Sequence, residues 1–297
     1  QVALEARIAQ EDWKNAAITA GNLSELHLAI GDLAQALDYA RQSVDLADRS
    51  GDALQRMVKR TTRANALHQA GQLDEAGELF REAEVMQEEH QPQFPLLYSL
   101  RGYQYCDLLL GRGEAGEVLR RAEQTMKWAL QFLQWGGSLL DIALNHLSLG
   151  RAHLLQAQQK GTEGPSTSDA PSALRAGLTQ AATHLNRAVD GLRRAGTQDH
   201  LPRGLLARAA LHRAQGQFAR AQRDLEEALT IATRGGMRLH EADCHLESAR
   251  LHLARGEQAQ ARESLSKAKT MIEEMGYHRC DGEVVALEKA LGAEAPS

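Results

Sequence analysis

From Gly216 to Gly276 small and large apolar residues recur at a fixed spacing. Ala221, Leu225 and Ala228 follow Gly216 at offsets of five, nine and twelve, and Ala261, Leu265 and Ala268 follow Gly256 at the same offsets, so the period is 40 residues. A closing glycine stands twenty after each first one, Gly236 and Gly276, and a small residue seven before it, Ala209 and Ala249. Steps of four and three place the apolar trio on one helix face. The pattern predicts two helices joined by a tight turn, with the second glycine in the left-handed position that ends the second helix. Neither helix pair can bury its apolar face alone, so copies must stack.

Run backwards, the register covers the chain. Residues 1–12 read as the end of a truncated repeat, with Ala3 in the last alanine column, so further repeats or a whole domain are expected before residue 1. Repeats then follow at about 13–51, 52–91, 95–137, 138–196, 197–236 and 237–276, in one solenoid spanning 1–297. In the second, Ala64, Gly71, Ala76, Phe80 and Ala83 fill the columns, and the segment His90 to Pro95 replaces the closing glycine. In the third, Gly111 takes the turn, but Gln104, Arg120 and Glu123 fall where small and apolar residues belong, so this copy reads as degenerate. Its second helix is expected to run through Trp128 and Trp135 to Gly136–Gly137. The fourth is split: Gly150 fits a first helix and Ala181, Leu185, Ala188 and Gly196 a second, with 161–172 (GTEGPSTSDAPS) as a flexible insertion. Residues 281–292 read as a capping helix and 293–297 as a frayed tail.

These columns resemble the tetratricopeptide repeat. The resemblance implies an all-α, right-handed superhelical solenoid of antiparallel helix pairs, whose first helices line a concave binding groove. The stretch RGGMRLHEADCHLESARLHLARGEQAQARESLSKAKTMIEEMGYHRCDGEVVALEKAL also resembles the C-terminal arms of bacterial multidomain signal-transducing ATPases, the group that includes the maltose-regulon activator. In that group the arm is a sensor whose ligand relieves autoinhibition of a nucleotide-binding domain. Carried over, this implies a sensor arm with such a domain upstream in the full-length chain.

Composition narrows the picture. Aromatic residues make up only 4% of the 297 against 43% hydrophobic, which fits thin layers of packed helices better than one thick core. A net charge of -5 disfavours direct nucleic-acid binding. Cys106, Cys244 and Cys280 form no CxxC pair, no signal peptide is evident, and no apolar run is long enough for a membrane span, so a cytoplasmic protein with reduced thiols is expected.

Motifs for chemistry are absent. No phosphate-binding glycine loop occurs, and no nucleophile–base order points to an enzyme; neither cofactor nor metal is expected. His240–Glu241 with His245 imitates a zinc-protease motif, but a spacing of five turns the second histidine about 140° away from the first. His27, His212 and His252 lie four before their turn glycines, with His153 equivalent; they read as half-buried packing groups, one per layer, unable to converge on one ion. Carboxylates spread along helix faces read as solvated surface.

In the tetratricopeptide family the positions ten, six and three before the turn glycine line the concave side. Here they include Asn65, His68, Arg101, Tyr105, Arg151, Arg213 and Arg250, with Tyr98 nearby. Guanidinium forks beside tyrosines suit an acidic peptide or protein, or a small anionic ligand. The alternative to a sensor arm is a stand-alone protein–protein interaction scaffold; a metal-dependent enzyme is a third reading, resting on His240 and Cys244.

Overall fold

A computed structural model describes residues 2–134, 136–162 and 170–293. The described residues form fourteen α-helices and one turn of 3-10 helix, with no strand. In order they are α1 (Val2–Ala9), α2 (Trp13–Ala29), α3 (Leu33–Ser50), α4 (Ala53–Gln69), α5 (Leu73–His90), α6 (Ser99–Gly111) and α7 (Ala115–Leu133). There follow α8 (Leu139–Thr162), α9 (Ala170–Ala195), α10 (Leu201–Ala214), α11 (Phe218–Gly235), α12 (Arg238–Ala254), α13 (Gln258–Met275), the 3-10 turn (His278–Cys280) and α14 (Asp281–Ala293). Consecutive helices pair as hairpins, which makes an all-α solenoid.

Local chemistry sets the helix ends. Asp12, Asp32 and Asp52 cap α2, α3 and α4 through side-chain oxygens that accept from Asn15, Gln35 and Gln55 N–H, at steps of twenty residues. Each such cap contributes about 1 kcal/mol. Within the hairpins one turn recurs: the N–H two residues after the cap bonds back to the last turn of the first helix, as in Asp32 to His27 (2.8 Å), Gln72 to Leu67 (2.9 Å), Gln217 to His212 (2.8 Å) and Glu257 to His252 (2.9 Å). A left-handed glycine precedes each donor.

The apolar columns form the core. Ala36, Ala40, Ala64, Ala76, Phe80 and Ala83 are buried, as are Ala209, Ala221, Leu225, Ala228, Ala249, Ala261, Leu265 and Ala268. Ser24 takes the small column of α2 and donates from Oγ to the Ala36 carbonyl at 2.8 Å, tying the hairpin across its narrowest point. Gly150 serves α8 in the same way: a Cβ there would stand 2.6 Å from Leu185 Cγ of α9.

Three details depart from the expected register. In the third repeat the turn glycine is Gly113 (φ +80°), while Gly111 is still helical; Glu114 N–H bonds back to Leu109 at 3.0 Å. Every column moves by two, so Cys106 fills the small position and Val118, Ala122 and Thr125 the inner face of α7, all buried. The copy is regular but displaced, because the chain between α5 and α6 is longer. At the start, Leu4 rather than Ala3 faces inward, packed with Ala16, Ala17 and Ala20. Around the expected insertion, α8 runs to Thr162 and α9 begins at Ala170; the rest of 161–172 lies outside the described residues, as do Trp135 and the tail.

The chain divides into two compact units. One comprises Gln1–Leu97 with Gly236–Ala242 and Ser266–Ser297; the other comprises Tyr98–Gly235 with Asp243–Leu265. In the first unit the turns of the opening hairpins meet the C-terminal segment. A Cβ on Gly31 would come within 2.5 Å of Met275 Sδ, and one on Gly71 within 2.8 Å of His278 Cβ and 3.0 Å of its carbonyl carbon. Gly71, at φ +78°, is thus confined to glycine twice over, by backbone conformation and by contact. Arg238 and Glu274 add an ion pair of 2.7 Å in the same unit.

Candidate functional site

The eight residues singled out from sequence fall in both units. Asn65 and His68 belong to the first, on α4, and are buried to 8% and 1% exposure. Gln69 Nε2 reaches Asn65 Oδ1 at 3.2 Å and lies 3.4 Å from His68 Nδ1. Neither residue presents its side chain to solvent.

The other six lie in the second unit, and most of their charge is already answered. Arg151 Nη1 pairs with Asp107 Oδ1 at 2.7 Å and donates to Tyr103 Oη at 3.3 Å. Arg213 holds Glu247 through Nε at 2.6 Å and Nη2 at 3.3 Å, and Arg250 reaches the same carboxylate at 3.2 Å. Glu247 is buried. Asp107 and Glu247 lie far along the chain from Arg151 and Arg213, though Glu247 is one helical turn from Arg250, and the reading of carboxylates as solvated surface missed them. After the shift in α6, Tyr103, Asp107 and Leu110 occupy the groove columns, in place of Arg101, Tyr105 and Leu108. Tyr105 is buried, with the Arg121 guanidinium 4.4 Å above its ring centroid.

Arg101 differs from the other three arginines. Among the described residues it makes no ion pair, and its buried Nε has no hydrogen-bond partner. Its guanidinium carbon sits 5.9 Å from the Tyr98 ring centroid, a cation–π distance. Burial pushes its pKa below the ordinary arginine value, opposed by Tyr98 and Asp141. Asp141 is engaged elsewhere, accepting from Ser99 Oγ at 2.5 Å. Tyr98 itself packs edge-on to Trp128 (6.4 Å) and against Phe132 (5.9 Å), so aromatic residues of α7 hold the ring that faces the cation.

The backbone here is strained. Ser99 opens α6 with φ +58°, one of two non-glycine residues at positive φ among those described. Such a conformation costs on the order of 1–2 kcal/mol and persists where surrounding contacts enforce it. Here Ser99 is held by Asp141, which fixes the direction of the first turn carrying Arg101.

The histidine column contains ordinary packing groups where it can be followed: His252 Nδ1 lies 2.6 Å from Glu257 Oε2 across its own turn. His153 instead stacks on His184, which also meets His146. Among the described residues no group of three His, Cys, Asp or Glu is placed to hold a metal ion, and Cys106, Cys244 and Cys280 are buried and in no disulfide. No described helix is long and apolar enough to cross a membrane.

No protein-family model matches the chain, and no curated protein does. Among solved structures it is similar to a Rap protein complexed with competence and sporulation factor, with a TM-score of 0.54 at 12% identity over 92% of this chain and 74% of that one. The TPR2AB-domain:pHSP90 complex of yeast Sti1 aligns over 94% of this chain and 99% of its own at 17% identity, but its TM-score of 0.32 carries no argument. Repeat columns, paired helices and the first of these matches define an all-α helical-repeat solenoid.

Proposed function

We propose that this chain is a protein- or peptide-binding arm that recognises an acidic group of its partner at Arg101. The observation that carries the reading is the contrast among four arginines: three are ion-paired within the fold, two of them on one carboxylate, while the half-buried guanidinium of Arg101, beside the Tyr98 ring, has no ion pair and leaves its buried Nε unbonded. A partly desolvated cation without a partner is costly, and a carboxylate arriving from outside would answer it with a bidentate, charge-assisted pair. Tyr98 supplies rigid apolar contact beside it and is itself held by buried Trp128 and by Phe132; aromatic side chains are favoured at the centres of interfaces. The Rap structure is consistent with a bound factor on such a fold. Tyr105, Arg151, Arg213 and Arg250 then support the frame of the same unit rather than meet the ligand, and Asn65 and His68 pack within the other unit.

In this reading the chain serves as the sensor arm of a larger signal-transducing ATPase in the cytoplasm of a bacterium, and binding relieves autoinhibition. The scaffold alternative uses the same site without a downstream switch. An array of 15-residue peptides, each in an Asp/Glu-containing and an Asn/Gln-containing version, tests the contact. The parent should retain acidic versions selectively and Arg101→Gln should lose them by about tenfold or more, the scale of one charge-assisted pair. Equal retention by parent and variant would overturn the reading.

A further inference from the structure

Three histidines of the second unit meet between α8 and α9. His146 and His153, seven residues apart on α8, share a face, and His184 of α9 stands against both. The Nδ1 atoms of His146 and His184 are 2.9 Å apart, with ring centroids at 5.1 Å. His153 stacks on His184 at 5.6 Å with 26° between the ring planes. A stacked ring offers its face and not a lone pair, so the trio does not converge three donors on one point. The contact at 2.9 Å holds one proton between two nitrogens, whether the pair is neutral or carries a single charge. A second proton would set two N–H donors against each other.

The surroundings add to the repulsion. Arg187 of α9 raises the positive potential at His146 and His184, and Glu123 of α7 is the carboxylate that opposes it at His153 and His184. On α6, Asp107 is spent on Arg151 of α8; from α10, Arg203 lies over the Tyr103 ring. Burial is the largest cause lowering the pKa of all three imidazoles. His146 falls from 6.5 to about 4, with His184 and Arg187 contributing.

We propose that this trio makes the α8–α9 hairpin an acid-sensitive joint, closed while the imidazoles share too few protons to repel and loosened when more are taken up. The sign follows from linkage. A histidine whose folded pKa lies below the unfolded value binds protons more readily when the site is open, so its stabilisation is complete above about pH 6.5 and is lost as pH falls toward about 4.

The test uses the intact chain. Imidazole NMR titration should place His146 near 4 and His153 and His184 below the free-histidine value. Amide exchange, corrected for intrinsic rates, should lose about tenfold or more protection in α8 and α9 between pH 7 and 5, beyond any loss in α10 and α11. His184→Asn should abolish most of that excess while leaving α10–α11 protection at pH 7 unchanged. Histidines titrating near 6.5, or protection lost equally in all hairpins, would overturn the proposal; both readings use the unsubstituted chain, so they hold even if the variant fails to fold.

Discussion

The hairpin α10–α11 and the hairpin α6–α7 obey the same repeat, yet each holds a partly buried arginine, Arg208 and Arg101, and the two are treated in opposite ways. In α10–α11 the 40-residue register is kept, and Arg208 grips buried Asp224 with two bonds, Nε to Oδ2 at 2.8 Å and Nη2 to Oδ1 at 2.7 Å. That hydrogen bonding raises the Arg208 pKa against the effect of burial. In α6–α7 the register has slipped by two, the first turn is opened by a strained serine, and Arg101 stays unmatched. The difference teaches where one cation is answered and another is not: the kept register of α10–α11 brings Asp224 to Arg208, whereas in the slipped hairpin a positive-φ serine and the unbonded Nε of Arg101 fall within three residues of each other.

The contrast can be broken experimentally. The largest effect is expected at the satisfied pair, where Asp224→Ala strands Arg208 and should cost about 3–5 kcal/mol in urea unfolding. A loss below about 1 kcal/mol would mean that α10–α11 does not depend on charge pairing. Next, Ser99→Ala keeps the left-handed strain and loses the bond to the Asp141 carboxylate, for an expected loss of about 1.5–3 kcal/mol; Ser99→Gly should recover about 1 kcal/mol of it by relieving the strain. The smallest effect belongs to the unmatched cation. Arg101→Met should leave stability unchanged or raise it by up to about 1 kcal/mol, since no partner is stranded and desolvation is relieved. A marked loss would show that Arg101 is structural after all.

Much of the fold was legible because close packing leaves a record. Ala209, Ala221 and Ala228 sit where two helices approach too closely for anything larger, so the period survives in the sequence. The slip at Gly111 was not legible, since a glycine two residues later fits the same turn and only the length of the preceding connection decides between them. The site was legible as a set of arginines but not as a division among them. Arg213 and Glu247 are 34 residues apart and meet through stacking of neighbouring hairpins, which spacing within a helix cannot register. The histidine trio left a partial trace: His146 and His153 share a helix face by their spacing of seven, but His184 reaches them from the other side of a hairpin.

The contact of Gly71 with His278 bears on how the molecule is made. A linear repeat array can fold from any point by adding neighbours, but this contact joins residues roughly 200 positions apart, whose meeting carries a loop-closure cost that local hairpins escape. During synthesis at about 5–20 residues per second, the first hairpins emerge roughly 10–40 s before the segment that covers their turns. For that interval they hold together on neighbour contacts alone, and the 3-10 turn at His278–Cys280 covers them only afterwards.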